Sequence, residues 1–234
     1  MEAIVLAGGL GTRLKSCING DIPKPMAPVN GKPFLFYLLK YLKKQKIEKV
    51  ILSVGYKYES ILNYFGNTFQ GISLIYSIEN TPLGTGGAIS KALKKCNDKN
   101  IFILNGDTYF PVSFSKLKEK QNQTGAEITI ALKQMTNGDR YGIVSMENNS
   151  VITSFSEKIK ANNILINGGV SLLNKEKFEK RSFTEKYSFE KEYLGKVVKQ
   201  RCISGLTFDS YFLDIGIPES YMKAQIDFKQ FSSQ

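Results

Sequence analysis

Residues 3–14 read AIVLAGGLGTRL, and PKPMAPV follows at 23–29. Ala3-Ile4-Val5-Leu6 is an unbroken apolar run, the pattern of a strand buried on both faces. Glycines come next at 8, 9 and 11, then Thr12 and Arg13. Glycines after a strand mark a backbone that must come close to something. VILSV (50–54), ISLIY (72–76) and IFIL (101–104) repeat the all-apolar character, with helical patterns between them. PFLFYLLKYLKKQK (33–46) starts with proline, expected at the first helical position, and then shows apolar residues three and four apart. Segments 58–65 and 86–96 are the other helices. This alternation predicts a parallel sheet with helices on both faces. In such sheets ligands gather beyond the C-terminal strand ends, where both the glycine loop and Asn105-Gly106-Asp107 fall.

After about residue 124 the pattern loosens. EITIALKQM (127–135) reads as a strand, and YGIVSM (141–146) with VITSFSE (151–157) as a hairpin. ILINGGVSLL (164–173) follows, then a charged segment of weak helical character through 192. YFLDIG (211–216) precedes a terminal helix opened by Pro218. No repeat or linker interrupts the chain. We read one domain over 1–234, with a nucleotide-type half at 1–124 and a more mixed half at 125–234.

Composition narrows the chemistry. There is no histidine among the 234 residues. Histidine triads, histidine general bases and histidine zinc sites are therefore excluded. A metal would be held by oxygen ligands, which favours a hard cation such as Mg²⁺. The three cysteines, Cys17, Cys96 and Cys202, are scattered, which argues for a reducing, cytoplasmic setting without disulfides. No apolar run is long enough to span a membrane, and no signal peptide is expected. The net charge is +11, with 15 basic against 7 acidic groups in residues 1–117 and 17 against 14 beyond. The excess thus sits with the glycine loop. Twenty-eight of the 32 basic residues are lysine, and no helix-turn-helix or RNP pattern occurs. We read the excess as attraction for polyphosphate substrates or as solubility, not as a nucleic-acid surface.

The loop fails two phosphate-binding fingerprints at specific positions. The string GxxxxGK[ST] is absent. Gly9-x-Gly11 is followed by Leu14 where a dinucleotide fingerprint needs glycine, and the second strand ends Ser53-Val54-Gly55 with no acid for a ribose. A turn needing only positive φ angles would use one or two glycines. Three glycines expose backbone N–H groups, with no side chains in the way, to a base edge or phosphate oxygens. Arg13 adds a permanently charged fork and Lys24 a point charge. Pro23 and Pro25 bracket Lys24 and restrict its backbone.

LAGG-x-GTRL followed by PKP-M-x-P-V-x-GKP (Leu6–Leu14, Pro23–Pro33) resembles the sugar-1-phosphate nucleotidyltransferases. The likeness continues in order through Glu79…Pro82-Leu83-Gly84-Thr85-Gly86-Gly87-Ala88, Asn105-Gly106-Asp107, Tyr141-Gly142, Glu157-Lys158, Asn167-Gly168-Gly169 and Leu213-Asp214-Ile215-Gly216. The short chain and overall wording are most similar to members that guanylylate a heptose 1-phosphate for surface polysaccharide.

The resemblance implies the family's Rossmann-like three-layer αβα fold with a mostly parallel mixed sheet. It implies an Mg²⁺-dependent transfer from a nucleoside triphosphate, GTP before UTP or dTTP, to a sugar 1-phosphate, heptose before mannose or glucose. Arg13, Lys24 and Asp107 are its catalytic residues. Leu6, Ala7, Gly8, Gly9, Gly11, Thr12, Arg13, Glu79, Gly84, Thr85, Asn105 and Gly106 bind the nucleotide. Gly142, Glu157, Lys158, Asn167 and Gly168 bind the sugar, while Asp107 and Asp214 share one Mg²⁺ from strands ending on the same sheet edge. A non-catalytic sugar-nucleotide sensor of the same fold is the alternative of another class. Ile-Lys-Ala after Lys158 departs from the proline common among relatives. Residues 174–200 match no motif, and a lid or a homo-oligomer contact is expected there.

Overall fold

The computed structural model describes residues 1–9, 22–136, 140–157 and 163–229. In chain order, β1 (Glu2–Leu6) precedes a 3₁₀ turn at Lys24–Met26, the short pair β2 (Pro28–Val29) and β3 (Lys32–Pro33), and α1 (Phe34–Lys44). Then come β4 (Lys49–Val54), α2 (Tyr58–Phe65), β5 (Thr68–Phe69), β6 (Ile72–Ile78), α3 (Gly84–Leu93), β7 (Asn100–Asn105), β8 (Thr108–Tyr109) and α4 (Phe114–Thr124). The second half holds β9 (Ile128–Met135), β10 (Ile143–Met146), β11 (Ile152–Ser156), β12 (Ile164–Asn174) and α5 (Lys175–Glu179). A π-helical turn at Phe189–Leu194, α6 (Gly195–Val197), β13 (Ile203–Thr207), β14 (Leu213–Asp214) and α7 (Pro218–Asp227) follow.

The expected parallel unit is present. β1 pairs in parallel with β4 and β7, and β4 with β6. Strand alternation divides their side chains between two cores. Ala3, Val5, Val50, Leu52, Phe102 and Leu104 face one side, under α1, α2, α4 and α7. Ile4, Ile51, Ile101 and Ile103 face the other, under α3 and the 178–198 segment. Burial on both faces is why these runs lack a polar partner at every second position. β12 is antiparallel to β7, so both halves of the chain share one sheet. Among the described residues no helix is long and apolar enough to cross a membrane.

Several elements depart from the sequence expectation. Pro33 lies in β3 and caps α1 rather than opening it. The helix α4 carries no apolar stripe to announce it, since only Phe114, Leu117 and Gln121 are buried. Ser113 caps its N-terminus, Gly125 closes it in a left-handed conformation, and Phe114 stacks on Phe102. The parallel pairing of β13 with β9 was equally hidden. Segment 174–200, where a lid or an oligomer contact is expected, is anchored in the core. Phe178, Tyr187, Phe189, Tyr193, Leu194 and Val197 are core residues.

At the start of β1, Glu2 is buried and accepts hydrogen bonds from the amides of Asn97 (2.6 Å) and Asp98 (2.9 Å) and an ion pair from Lys49 (2.9 Å). Burial opposes its charge, but these donors outweigh it and hold the carboxyl below its ordinary value of 4.5. A depressed folded value stabilises above the unfolded value and is lost as pH falls through the folded one. Glu2→Gln should therefore melt lower than wild type at pH 7, and the gap should close below about pH 4.5. Thermal melts from pH 7 to 3 check this; a gap independent of pH would refute it.

Candidate active site

A cleft of about 350 Å³ opens beyond the C-terminal ends of the parallel strands. Leu6, Gly8, Gly9, Lys24, Ser53, Glu79, Gly84, Thr85, Asn105 and Asp107 line it. Neither Gly8 nor Gly9 takes a left-handed φ. Among the described residues, nothing lies within 4 Å of a Cβ placed on Gly9. Gly11, Thr12, Arg13 and Lys158 lie outside the described residues.

Ala7 and Gly106 form the wall behind the lining. Ala7 is buried, its amide donating to the Ser53 carbonyl at 2.7 Å. The Gly106 amide donates to the Leu6 carbonyl at 2.9 Å. Glu79 accepts from the Ser53 hydroxyl (3.2 Å) and the Leu83 amide (3.1 Å), which fixes its carboxylate at the cleft wall.

A second, smaller cleft of about 170 Å³ adjoins the first. It is lined by Thr108, Tyr141, Asn167, Gly168, Gly169, Phe212 and Asp214, and shares Lys24, Asn105 and Asp107 with its neighbour. Asn167-Gly168-Gly169 lies where the pairing of β12 with β9 is interrupted, a bulge of the kind that re-aims side chains beside functional sites. Gly169 is left-handed (φ 72°), and the Asn167 side chain accepts from its amide at 3.0 Å. A Cβ on Gly168 would collide with the Phe110 ring.

At the junction, Lys24 Nζ donates to Asp107 Oδ2 at 2.5 Å. The lysine side chain is only 12% exposed, so this charge is held in place rather than waving in solvent. Asp214 reaches the same cleft by a route other than the one expected. It does not end a strand of the main sheet. β14 pairs instead with β8 in a separate two-stranded ladder, Asp214 opposite Thr108, and the Ile215 amide donates to the Asp107 carbonyl at 3.0 Å. The ladder starts one residue after Asp107, which brings the two carboxylates to one cleft.

Arg140 and Tyr141 complete this corner, and Arg140 is a contact the sequence did not suggest. Both donate to Asp214 Oδ2 at 3.4 Å, and the Gly216 amide to Oδ1 at 2.5 Å. Burial, with the Asp214 charge behind it, pushes the Tyr141 phenol up to about 12, so it remains a donor at neutral pH. Two residues implied as sugar contacts, Glu157 and Gly142, are not among the lining residues. Glu157 is exposed at the end of β11, the sheet edge, and lines neither cleft. Gly142 sits one residue outside the cleft, against the Ser156 carbonyl. Ile143 pairs with Ser156 on one side and Ile166 on the other, so Gly142 and Glu157 stand at the same strand ends as Asn167.

The chain matches the Nucleotidyl transferase family over residues 2–230. It is 50% identical over 231 residues to the D-glycero-alpha-D-manno-heptose 1-phosphate guanylyltransferase of Aneurinibacillus thermoaerophilus, covering 99% of this chain and 100% of that one. Identity to the Campylobacter jejuni protein of the same name is 51% over 221 residues, 94% of this chain and 97% of that one. The structure of HddC from Yersinia pseudotuberculosis complexed with GMP-PN superimposes with a TM-score of 0.85 at 36% identity, over 97% of this chain and 99% of that one. The family match over residues 2–230, with relatives about half identical along nearly the whole chain, places this chain in the nucleotidyl transferase family.

Proposed function

We propose that this protein transfers the guanylyl group of GTP to D-glycero-α-D-manno-heptose 1-phosphate, forming GDP-heptose and pyrophosphate. The observation that carries the reading is the junction: two clefts, one for each reactant, share Lys24, Asn105 and Asp107. The near-full-length relatives that bear this activity in their names select the base and the sugar. The product is an activated donor, which we assign to surface polysaccharide synthesis in the cytoplasm.

A sugar-phosphate oxygen attacks the α-phosphorus of GTP. The bond to the β-phosphate oxygen breaks, and pyrophosphate leaves with the electron pair. The nucleophile is already anionic at neutral pH, so no general base is needed and a chain without histidine suffices. The barrier lies in bringing two anions together and stabilising the charge that builds between them. Lys24, at the shared wall, supplies a fixed positive charge to both. Arg13 is assigned to the phosphates on the leaving side.

Asp107 and Asp214 fit a magnesium ion. Both offer carboxylate oxygens to one cleft, and Mg²⁺ is commonly held by one or two carboxylates with substrate phosphates completing its shell. No cluster of three or more acidic or cysteine ligands occurs among the described residues, so a site completed by substrate suits this donor set. When bound, the ion would neutralise phosphate charge. Arg140, Tyr141 and the Gly216 amide orient the Asp214 carboxylate meanwhile.

The test is pyrophosphate release from the four common nucleoside triphosphates against mannose, glucose and heptose 1-phosphates, with and without EDTA. Turnover should be fastest with GTP and the heptose phosphate, and EDTA should abolish it until Mg²⁺ is restored. Turnover with no pair, or full activity in EDTA, would refute the reading or its metal.

A further inference from the structure

We propose that Glu190 is a specificity-determining residue that accepts a hydrogen bond from the 2-amino group of guanine. The inference rests on the guanylyl transfer proposed above. Glu190 lies in the segment for which the sequence suggested no chemistry, yet it lines the nucleotide cleft. It is absent from the part shared with the sugar cleft, where Lys24 and Asp107 stand. It therefore belongs to the part of the nucleotide cleft that the sugar cleft does not share.

Its position is built. The Tyr187 carbonyl accepts from the Gly86 amide and the Tyr187 amide donates to the Leu83 carbonyl, both at 3.0 Å. A Cβ on Gly86 would strike the Tyr187 ring. These contacts lock the 187–190 strap onto the loop that leads into α3. Thr85 then ties the strap to the cleft, its hydroxyl donating to Glu190 Oε2 at 2.8 Å and accepting from the Phe189 amide at 2.9 Å. Ser188 donates to the same Oε2 at 3.4 Å. Oε1 has no partner among the described residues.

A carboxylate in a cleft for a polyanion must face donors, not phosphates. Of the acidic side chains lining this cleft, Asp107 is taken by Lys24, while Glu79 and Glu190 are both held by the 83–85 turn, one through the Leu83 amide and one through the Thr85 hydroxyl. Guanine offers two adjacent donor groups on one edge, N1–H and the 2-amino group, and two carboxylates match them. Uracil and thymine offer one donor on that edge, and adenine offers none at those two positions. Glu79 already accepts from two protein donors; Glu190 keeps a whole oxygen for the base.

The experiment compares kcat/KM for GTP, ITP and 2′-deoxy-GTP in wild type and Glu190→Ala, with the sugar phosphate selected by the substrate panel. ITP lacks only the 2-amino group. Wild type should prefer GTP to ITP by on the order of 10- to 100-fold, the value of a hydrogen bond to a charged acceptor. Glu190→Ala should lose that preference by losing GTP activity alone, with ITP unchanged. Equal losses for GTP and ITP would make Glu190 a brace and overturn the inference. Loss of the preference for GTP over 2′-deoxy-GTP, with the GTP:ITP ratio kept, would make it a ribose contact and overturn it too. Failure of wild type to use GTP refutes the guanylyl reading and this one together. Turnover of GTP with an unchanged GTP:ITP ratio in the variant refutes this one alone.

Discussion

Lys24→Met is expected to lower kcat by about 10²- to 10³-fold while the Kd for GTP changes less than about tenfold, the loss seen when one preorganised charge-stabilising donor is removed. The expectation follows from how the lysine is held. Pro23 precedes it in an extended conformation (φ −66°, ψ 147°) and Pro25 follows it in the 3₁₀ turn. The Met26 amide donates to the Pro23 carbonyl at 2.8 Å and the Ala27 amide to the Lys24 carbonyl at 3.0 Å. The backbone is thus set before any substrate arrives. The side chain is nearly buried and ends on Asp107 at the meeting of the two clefts. Methionine keeps the stem and removes the charge, so substrate space is preserved and transition-state stabilisation is not. Lys24→Arg should rescue poorly, because a planar fork cannot occupy the place of a compact ammonium. Rapid-quench kinetics with equilibrium GTP binding separates the effects. A Lys24→Met enzyme within threefold of wild-type kcat would remove the lysine from the mechanism.

Gly106→Ala should damage both stability and activity, whereas Gly9→Ala should touch activity alone. A Cβ on Gly106 would lie 2.5 Å from the Leu6 carbonyl oxygen and 3.4 Å from the Ala7 Cα. These are backbone atoms. Leu6 is paired with both Ser53 and Asn105, so the end of β1 cannot retreat. The turn that carries Asp107 must move instead, which disturbs the Lys24–Asp107 pair. Overpacking of this kind costs about 1–3 kcal/mol. On Gly9 the same methyl group meets nothing within 4 Å among the described residues, at a position that lines the cleft. Thermal melts should show a clear loss for Gly106→Ala and none for Gly9→Ala, with a raised KM for GTP in the latter. Equal melting temperatures for Gly106→Ala and wild type would show that the turn has slack.

The parallel core was readable because its signal is local. Each buried strand announces itself in four to six consecutive residues, and the direction of pairing follows from the helix between them. The helix α4 was not readable, because its polar face outweighs the three positions it buries. β13 was hidden because a strand added beside β9 draws its definition from that partner. Lys24, Asp107 and Asp214 stood in motifs, and the structure brings all three to one cleft. Glu157 stood in a motif as well, and it is exposed just beyond the edge strand β11, outside the lining of either cleft.

The sequence by itself determined the buried strands of the parallel unit, the absence of any histidine chemistry, and the bare loop beside a proline-bracketed lysine. Each depends on residue type and short-range order. Only the tertiary structure decided that Asp214 meets Asp107 through a two-residue ladder, that Arg140 and Tyr141 orient it, and that Glu190 joins Thr85 across 105 positions of sequence. Those contacts depend on where the sheet and α3 carry the backbone, and no local pattern encodes the distance between two chain segments that far apart.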